Sequence, residues 1–155
     1  MVQRLLTLIA LCLAQVFVAP TLADEPIIKG YLLFETWEGI GGSLVTDLTT
    51  NAAFPNDPTS ADWRESIEIE SNRAEEYAIR AGGYVVPPET GNYTFWIASD
   101  DASELWLSTD DNWVHAAKIA AVSGWTNERQ WNKFPEQQSA EIPLVAGQRY
   151  YVDVF

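Results

Sequence analysis

Cysteine, histidine and basic residues are scarce in this sequence, which has one Cys and one His among 155 residues. A structural zinc site or a cysteine nucleophile needs several soft ligands or a Cys–His pair, so the composition argues against both. The 9 Lys and Arg face 22 Asp and Glu, for a formal net charge of −13. Because no basic stripe is available to neutralise phosphates, we expect neither nucleic acid nor an anionic membrane surface as a partner. Any metal ion must be held by oxygen ligands.

The sequence is nevertheless that of a folding chain, since 47% of its residues are hydrophobic and only 20% are charged. Residues 1–23 have the pattern of a secretory signal peptide: Arg4 supplies the positive charge, residues 5–18 are almost all apolar, and small residues precede a cleavage site after Ala23. The apolar run is shorter than the roughly 20 residues that span a bilayer. We therefore predict an exported protein, secreted, extracellular or on the cell surface, with the periplasm as a further location.

Cleavage would leave residues 24–155 as one acidic domain without cysteine and without a membrane segment. Apolar residues alternate along most of this length, which is typical of strands. We predict strands at 27–34, 66–69, 77–80, 84–86, 93–98, 104–108, 140–144 and 148–155. The Pro/Gly-rich turn at 87–91 predicts an antiparallel hairpin, residues 127–134 a helical turn, and residues 39–47 and 49–61 loops. The expected fold class is all-β.

Two pairs of adjacent carboxylates flank the predicted strand 104–108. Asp100-Asp101 precedes the strand, and can serve either as a turn or as part of a Ca²⁺ site, because Ca²⁺ prefers carboxylate and carbonyl oxygens. Asp110-Asp111 follows the strand, about 25 Å away at 3.3 Å per extended residue. The two pairs therefore cannot share an ion, and we predict that the second pair forms a solvated turn stabilised by Asn112.

A longer pattern around the first pair resembles the central signature of the PA14 (protective-antigen fourteen-kilodalton) domain. It consists of the strand Gly83-Tyr84-Val85-Val86, the turn Pro87-Pro88-Glu89-Thr90-Gly91, the strand Tyr93-Thr94-Phe95 and the sequence Ser99-Asp100-Asp101. Residues 104–108, 131–139 and 144–151 look like later strands of bacterial members. The resemblance covers about residues 26–155.

The resemblance implies an antiparallel β-sandwich or barrel-like module of secreted and cell-surface proteins, usually carbohydrate-binding. In lectin-like members, consecutive Asp residues joined by a cis peptide bond bind Ca²⁺, which in turn holds sugar hydroxyls; Asp100 and Asp101 match those positions. Other members continue past the Tyr-Tyr-Val strand into a further loop and a last strand. We therefore expect a domain that is incomplete at its C-terminus, with an exposed edge and a weakened Ca²⁺ site.

Aromatic residues are a second source of sugar-binding surface, since their rings stack on the apolar faces of pyranoses. Most of the seven Trp residues are best explained as core. Trp113 follows Asp110, Asp111 and Asn112 in a predicted turn, and is our candidate for an exposed stacking residue. His115 has no accompanying nucleophile motif, so we interpret it as structural.

These observations predict a noncatalytic carbohydrate-binding module of an exported or cell-surface protein, with a glycan or polysaccharide as partner. Asp100, Asp101 and Trp113 are the predicted carbohydrate-binding residues, and Asp100 and Asp101 the predicted Ca²⁺ ligands. The alternative is a structural or protein-interaction module of a larger surface protein, in contact with other cell-surface proteins, or an accessory domain of a glycosidase. We expect no enzymatic activity from this chain, because nothing in it identifies two carboxyls at a catalytic separation.

Overall fold

The computed structural model describes residues 30–70 and 73–155, so the predicted signal peptide lies outside the described residues. The strands are β1 (Leu32–Glu38), β2 (Ser60–Arg64), β3 (Tyr77–Val85), β4 (Gly91–Tyr93), β5 (Ser103–Leu107), β6 (Ala117–Val122), β7 (Ile142–Leu144) and β8 (Tyr150–Val154). In the described part of the chain, one α-helix, α1 (Val45–Thr49), and two 3₁₀ helices, Trp113–His115 and Pro135–Gln137, accompany these strands. Within the described ranges, no helix is both long enough and apolar enough to cross a membrane.

The strands form two antiparallel sheets. The larger sheet has six strands in the order β2-β1-β3-β8-β5-β6, and the smaller pairs β4 with β7. The smaller layer is extended by a bridge between Trp96 and Gln138. The prediction of an all-β antiparallel sandwich is therefore confirmed. Strand β8 lies inside the larger sheet, between β3 and β5. The edge strands of this sheet are β2 and β6.

The main core lies between the two sheets. Alternate residues of β5 illustrate the pattern: Ser103, Leu105 and Leu107 are buried, whereas Glu104 and Trp106 point to the other face. The buried residues of this core are Ile97, Leu105, Leu107, Ala120, Val122, Leu144, Tyr150 and Val152. Burial of each large aliphatic side chain contributes roughly 1.5–3 kcal/mol, so this interface supplies most of the hydrophobic stabilisation of the sandwich.

A second apolar cluster covers part of the outer face of the larger sheet. Trp37 projects from β1 and packs with Ile40 and with Leu48 of α1. The ring of Phe54 lies 5.4 Å from the Trp37 ring, and the indole Nε1 of Trp37 donates to the carbonyl oxygen of Ala53 at 3.3 Å. Residues 40–54 are therefore a packed layer, although the sequence predicted loops there.

Several predicted elements are wrong, and the strand predicted at 93–98 is regular only at Tyr93, with an isolated bridge at Trp96. The strand predicted at 66–69 is irregular, and the strand that pairs with β1 is Ser60–Arg64. The second predicted loop, 49–61, includes the start of that strand, and α1 overlaps the end of the first predicted loop and the start of the second. Residues 127–134 form turns rather than a helix, and Pro135 begins a 3₁₀ helix instead of ending one. Proline is compatible with both positions, because its fixed φ suits a first helical turn as well as a stop.

The predicted hairpin across residues 87–91 is also wrong, because β3 and β4 belong to different sheets. The chain passes from the larger to the smaller sheet there, and it passes from the smaller to the larger sheet in the turn between β7 and β8. The two crossings are joined by hydrogen bonds: the Gly147 amide donates to the Pro87 carbonyl at 2.9 Å, and the Ala146 amide to Thr90 Oγ1 at 3.0 Å. Gly147 has a φ of +73°, which suits glycine in this tight turn.

Candidate functional site

Asp100 and Asp101 lie in the loop that enters β5, and backbone contacts hold that loop from two sides. The amide of Thr126 donates to the carbonyl of Ser99 at 2.7 Å, and the Ala102 amide donates to the Ser43 carbonyl at 3.2 Å. The Asp100-Asp101 peptide bond is cis, as the resemblance implies. The acidic pair is therefore placed by two segments that are distant from it in sequence, around Ser43 and around Thr126.

Ser99 fixes the inner side of this loop. Its Oγ donates to the Asp101 carbonyl oxygen at 2.6 Å and lies 2.6 Å from Ser103 Oγ, while its amide donates to Thr126 Oγ1 at 3.0 Å. Ser103 is buried, whereas Asp100 and Asp101 are exposed. The loop thus directs its hydroxyl groups inward and leaves the acidic pair at the surface.

The two carboxyl groups interact with each other. Partial desolvation, then a hydrogen bond donated to Asp100 and the negative charge of Asp100, raise the pKa of Asp101 above 3.8. Repulsion between neighbouring carboxylates disfavours the doubly ionised pair, so a cation placed between them would favour it. An all-oxygen pair at the surface fits a hard divalent cation such as Ca²⁺.

The pair is not part of a larger acidic cluster. Among the residues that the structure describes, no three His, Cys, Asp or Glu side chains come together as a metal-binding group. Ca²⁺ takes six to eight oxygen ligands. Asp100 and Asp101 would therefore hold the ion together with carbonyl oxygens, water or oxygens of a ligand.

Trp125 is the aromatic residue beside the acidic pair. Its backbone forms a β-bridge with Asp100, and its side chain is half-exposed. The Lys133 Nζ lies 3.4 Å from the centre of the Trp125 ring and donates to the Trp125 carbonyl at 2.6 Å. Sequence reasoning missed this neighbour of the site, because the contact joins positions 25 residues apart and leaves no local spacing pattern.

Trp113 is half-exposed, as predicted, but it lies at the opposite end of β5 from the acidic pair. A five-residue strand spans about 17 Å. Trp113 begins the first 3₁₀ helix and lines a cavity on the outer face of the larger sheet, together with Trp106 and Val114. The structure therefore brings Asp100 and Asp101 together and places Trp113 on a separate surface.

The second acidic pair forms the turn that its sequence predicts. Asp110 Oδ1 accepts from the Asn112 amide at 2.9 Å, and Asp110 Oδ2 lies 2.7 Å from His115 Nδ1. The hydrogen bond from the Asn112 amide, and next in size the hydrogen bond with His115, lower the pKa of Asp110 below 3.8. Asp111 pairs with Arg149 at 3.1 Å. His115 is thus engaged with Asp110 in this turn.

The fold and the acidic loop define an antiparallel β-sandwich module with a surface carboxylate pair at one end. The profile of the PA14 domain family matches residues 40–155. The chain therefore belongs to the PA14 domain family, which confirms the resemblance.

Two relatives show the setting in which similar segments occur. The chain is 32% identical over 130 residues to N-acetyl-beta-glucosaminyl-glycoprotein 4-beta-N-acetylgalactosaminyltransferase 1 of Mus musculus, a match covering 81% of this chain and 12% of that protein. It is 26% identical over 130 residues to fibrocystin of Canis lupus familiaris, covering 79% of this chain and 3% of that protein. The chain thus corresponds to a small part of much longer relatives.

Proposed function

We propose that this PA14 domain is a noncatalytic carbohydrate-binding module, in which Asp100 and Asp101 bind Ca²⁺ and present it to a glycan. The observation that carries the proposal is the position of two adjacent, exposed carboxyl groups on a loop that backbone hydrogen bonds to Ser43 and Thr126 hold in place. When bound, the ion would neutralise the pair and coordinate vicinal hydroxyls of a sugar. Because its backbone is bridged to Asp100 and its side chain is half-exposed, Trp125 is our candidate for stacking on such a sugar, whereas Trp113 is too far away to contact the same one.

The relatives support a glycan as the ligand class. One of them is named for transferring N-acetylgalactosamine to a glycoprotein glycan, and this chain matches only 12% of it. A domain of that kind can serve by holding a glycan near another domain. For the present chain we propose the same noncatalytic role, in an exported or cell-surface protein, with a glycan or polysaccharide as partner.

The Ca²⁺ site is tested by isothermal titration calorimetry on the wild type, Asp101→Asn and Asp111→Asn. Asp101→Asn keeps the size of the side chain and removes one charged ligand, so we expect at least about a tenfold loss of Ca²⁺ affinity. Asp111→Asn alters the second acidic pair and should leave the affinity unchanged. Equal heats for the wild type and Asp101→Asn would overturn the site.

The sugar is tested separately with a glycan array, read in Ca²⁺ and again in EDTA. Binding that appears only with Ca²⁺ and is lost in Asp101→Asn supports the proposal. Binding that persists in EDTA would place the sugar elsewhere on the domain, and absence of binding in both conditions would reject the carbohydrate function. Trp125→Ala tests the stacking role, and we expect it to weaken sugar binding while Ca²⁺ affinity stays the same.

A second candidate function is that of a protein-interaction module, with other cell-surface proteins as partners. It is favoured by large aromatic side chains that are about half exposed at the surface, namely Trp96, Trp125 and Trp131. An accessory domain of a glycosidase would likewise be a noncatalytic domain attached to a larger protein. A pull-down from surface extracts in which a partner is retained despite excess free glycan, and lost when Trp131 is changed to Ala, would favour protein interaction.

A further inference from the structure

A cavity of about 820 Å³ extends across the outer face of the six-stranded sheet. Side chains of β1, β2, β3, β5 and β8 line it, together with residues of the segments 54–58 and 113–116. The lining residues lie outside the acidic loop 99–102. Because pockets for small organic molecules usually measure about 300–1,000 Å³, the cavity is large enough for a ligand of that size.

Strand pairing sets the length of this cavity. One row of paired residues runs across the sheet from β2 to β5, through Trp63, Leu33, Gly82, Asp153 and Trp106. Neighbouring strands lie about 4.8 Å apart, so the four steps of the row place the backbones of Trp63 and Trp106 about 19 Å apart. The two tryptophans therefore lie at opposite ends of the cavity, where only an elongated ligand can contact both.

Each end of the row carries an indole ring that is partly open to solvent. Trp63 is half-buried at the β2 end, and Trp106 is half-buried at the β5 end, where the half-exposed Trp113 also lines the cavity. The Trp106 Nε1 donates to Glu104 Oε2 at 2.9 Å, which orients that ring. An indole combines a large apolar face with a single N–H donor, and such a face suits the apolar side of a pyranose. The cavity therefore has a stacking surface at each end.

Between the two ends, the polar groups of the lining bond to one another. Arg80 Nε donates to both carboxylate oxygens of Asp153 at 3.0 Å, and Arg80 Nη2 donates to Asp153 Oδ2 at 2.9 Å and to Tyr151 OH at 3.2 Å. The Tyr151 hydroxyl donates to Asp153 Oδ2 at 3.1 Å, and Arg80 Nη1 lies 3.6 Å from Glu35 Oε2. Because Arg80 and Asp153 are paired within the protein, this region favours an uncharged ligand, whose hydroxyls can use further acceptor positions of the carboxylates.

A linear sugar chain matches both the length and the chemistry of the cavity. In a chain of 1,4-linked pyranoses each unit advances about 5 Å, because the single bonds of the ring and of the linkage measure about 1.5 Å. About four units therefore cover the distance from Trp63 to Trp106. An extended peptide has a similar reach, but the face of a sheet lacks the unpaired backbone groups with which a sheet edge binds a peptide.

We propose that this cavity is a second carbohydrate site, which binds a linear, uncharged oligosaccharide of about four sugar units without Ca²⁺. The terminal units would stack on the indoles, and hydroxyls of the middle units would lie over Arg80 and Asp153. The ligand class rests on the proposed function, but the cavity does not use the Asp100–Asp101 pair. That pair would hold vicinal hydroxyls of a single sugar, whereas the cavity needs a chain.

The test is calorimetric titration of the chain in EDTA with β-1,4-linked oligosaccharides of glucose and of mannose, from the disaccharide to the hexasaccharide. In at least one series we expect the tetrasaccharide to bind at millimolar concentration or tighter, and at least about tenfold more tightly than the disaccharide, because it reaches both ends. Units beyond the fourth should add little. An affinity independent of chain length, or absence of binding in both series at millimolar concentration, would overturn the proposal. Because EDTA removes Ca²⁺, neither result changes the outcome of the Ca²⁺ titration.

Substitutions at opposite ends of the cavity locate the sugar chain. Trp63→Ala and Trp113→Ala should each remove most of the advantage of the tetrasaccharide over the disaccharide, since each removes a stacking surface. Trp113 is half-exposed on a short 3₁₀ helix, so Trp113→Ala should fold. Trp131 is an equally exposed tryptophan outside the cavity lining, and Trp131→Ala should keep the wild-type affinity. A tetrasaccharide affinity unchanged in both Trp63→Ala and Trp113→Ala would contradict the assignment.

Discussion

Arg80 forms the ion pair that stabilises the buried charge of Asp153 on the outer face of the larger sheet. Burial tends to lower the pKa of its guanidinium, but the bonds to Asp153 and the charges around it outweigh burial and raise that pKa overall. Burial conversely raises the pKa of Asp153, with Arg80 opposing the shift. Neither charge is therefore tolerated in this position without the other.

We expect Arg80→Met to lower the free energy of unfolding by about 3–5 kcal/mol, because it leaves Asp153 buried without its cation. Urea denaturation measures the change. Arg129→Met is the matched control: Arg129 pairs with Glu68 at the surface, where such pairs contribute about 1 kcal/mol or less. Equal unfolding midpoints for the two variants would contradict this account of the network.

Asp101 should make the metal-free protein less stable as pH rises. Because its pKa in the folded state is raised above 3.8, the native state binds this proton more tightly than the unfolded state does. The associated stability is fully present below pH 3.8 and is lost as pH rises through the folded-state pKa. Asp101→Asn should therefore exceed the wild type in stability at neutral pH in EDTA, but match it in acid.

The gain from Asp101→Asn should stay below about 1 kcal/mol, because the side chain is exposed and solvent screens the repulsion. Thermal unfolding in EDTA, at neutral pH and at acid pH, measures it. Asp111→Asn loses the pair with Arg149 and should show no gain. A wild type more stable than Asp101→Asn at neutral pH would show that the carboxyl pair is not repulsive.

At the scale of elements, the segment between β6 and β7 has little regular structure, and the buried side chain of Gln137 makes four of the hydrogen bonds that hold it. Gln137 Oε1 accepts from the amides of Lys133 and Phe134, both at 2.8 Å. Its Nε2 donates to the carbonyls of Ile97 and Gln130 at 2.9 Å and 2.7 Å. These bonds connect the segment carrying Trp125 to the smaller sheet.

Gln137→Leu keeps the side chain large and leaves those four backbone groups without their partner. We expect a loss of roughly 2–4 kcal/mol in the free energy of unfolding, since orphaned buried polar groups cost about 1–3 kcal/mol each and some will rehydrate. Chemical denaturation gives the value. The neighbouring Gln138→Leu, at an exposed position, serves as control, and a similar loss there would refute the special role of Gln137.

For the whole molecule, charge is the property with the widest consequence. The 22 acidic and 9 basic residues make the compact state repel itself. We expect the melting temperature to rise by a few degrees between low salt and about 0.15 M NaCl, where repulsion between exposed charges more than about 8 Å apart is largely screened. Differential scanning calorimetry measures the change, and a melting temperature that falls with added NaCl would contradict it.

The same measurement separates screening from specific binding. CaCl₂ and NaCl solutions of equal ionic strength screen to a similar extent, so any additional rise in CaCl₂ reports Ca²⁺ bound to the native state. This additional rise should be absent in Asp101→Asn. A rise of the same size in wild type and variant would place the ion elsewhere.

Sequence reasoning succeeded where the signal was local. Alternation identified the strand Tyr77–Arg80, which the structure extends to Val85, and located Ser103–Leu107 within one residue at each end. It failed in residues 39–61, because the five-residue helix α1 begins after Leu44, which is not a typical N-cap residue, and because its Leu48 packs onto Trp37, a contact that leaves no local sequence pattern. The predicted hairpin at 87–91 is wrong for a similar reason. A Pro/Gly turn can connect two strands of one sheet or two strands of different sheets, and its sequence does not distinguish the two.

By itself, the sequence determined the all-β class, the acidic character and the position of the carboxylate pair at the entry to a strand, because these follow from period-two alternation, composition and turn chemistry. Only the tertiary structure decided which residues surround that pair, placing Trp125 beside Asp100 and Trp113 at the far end of β5. It likewise decided that Glu35, Arg80 and Asp153 meet on the outer face of the larger sheet. Such neighbours depend on which strands pair across long sequence separations, and burial of the whole core selects that pairing.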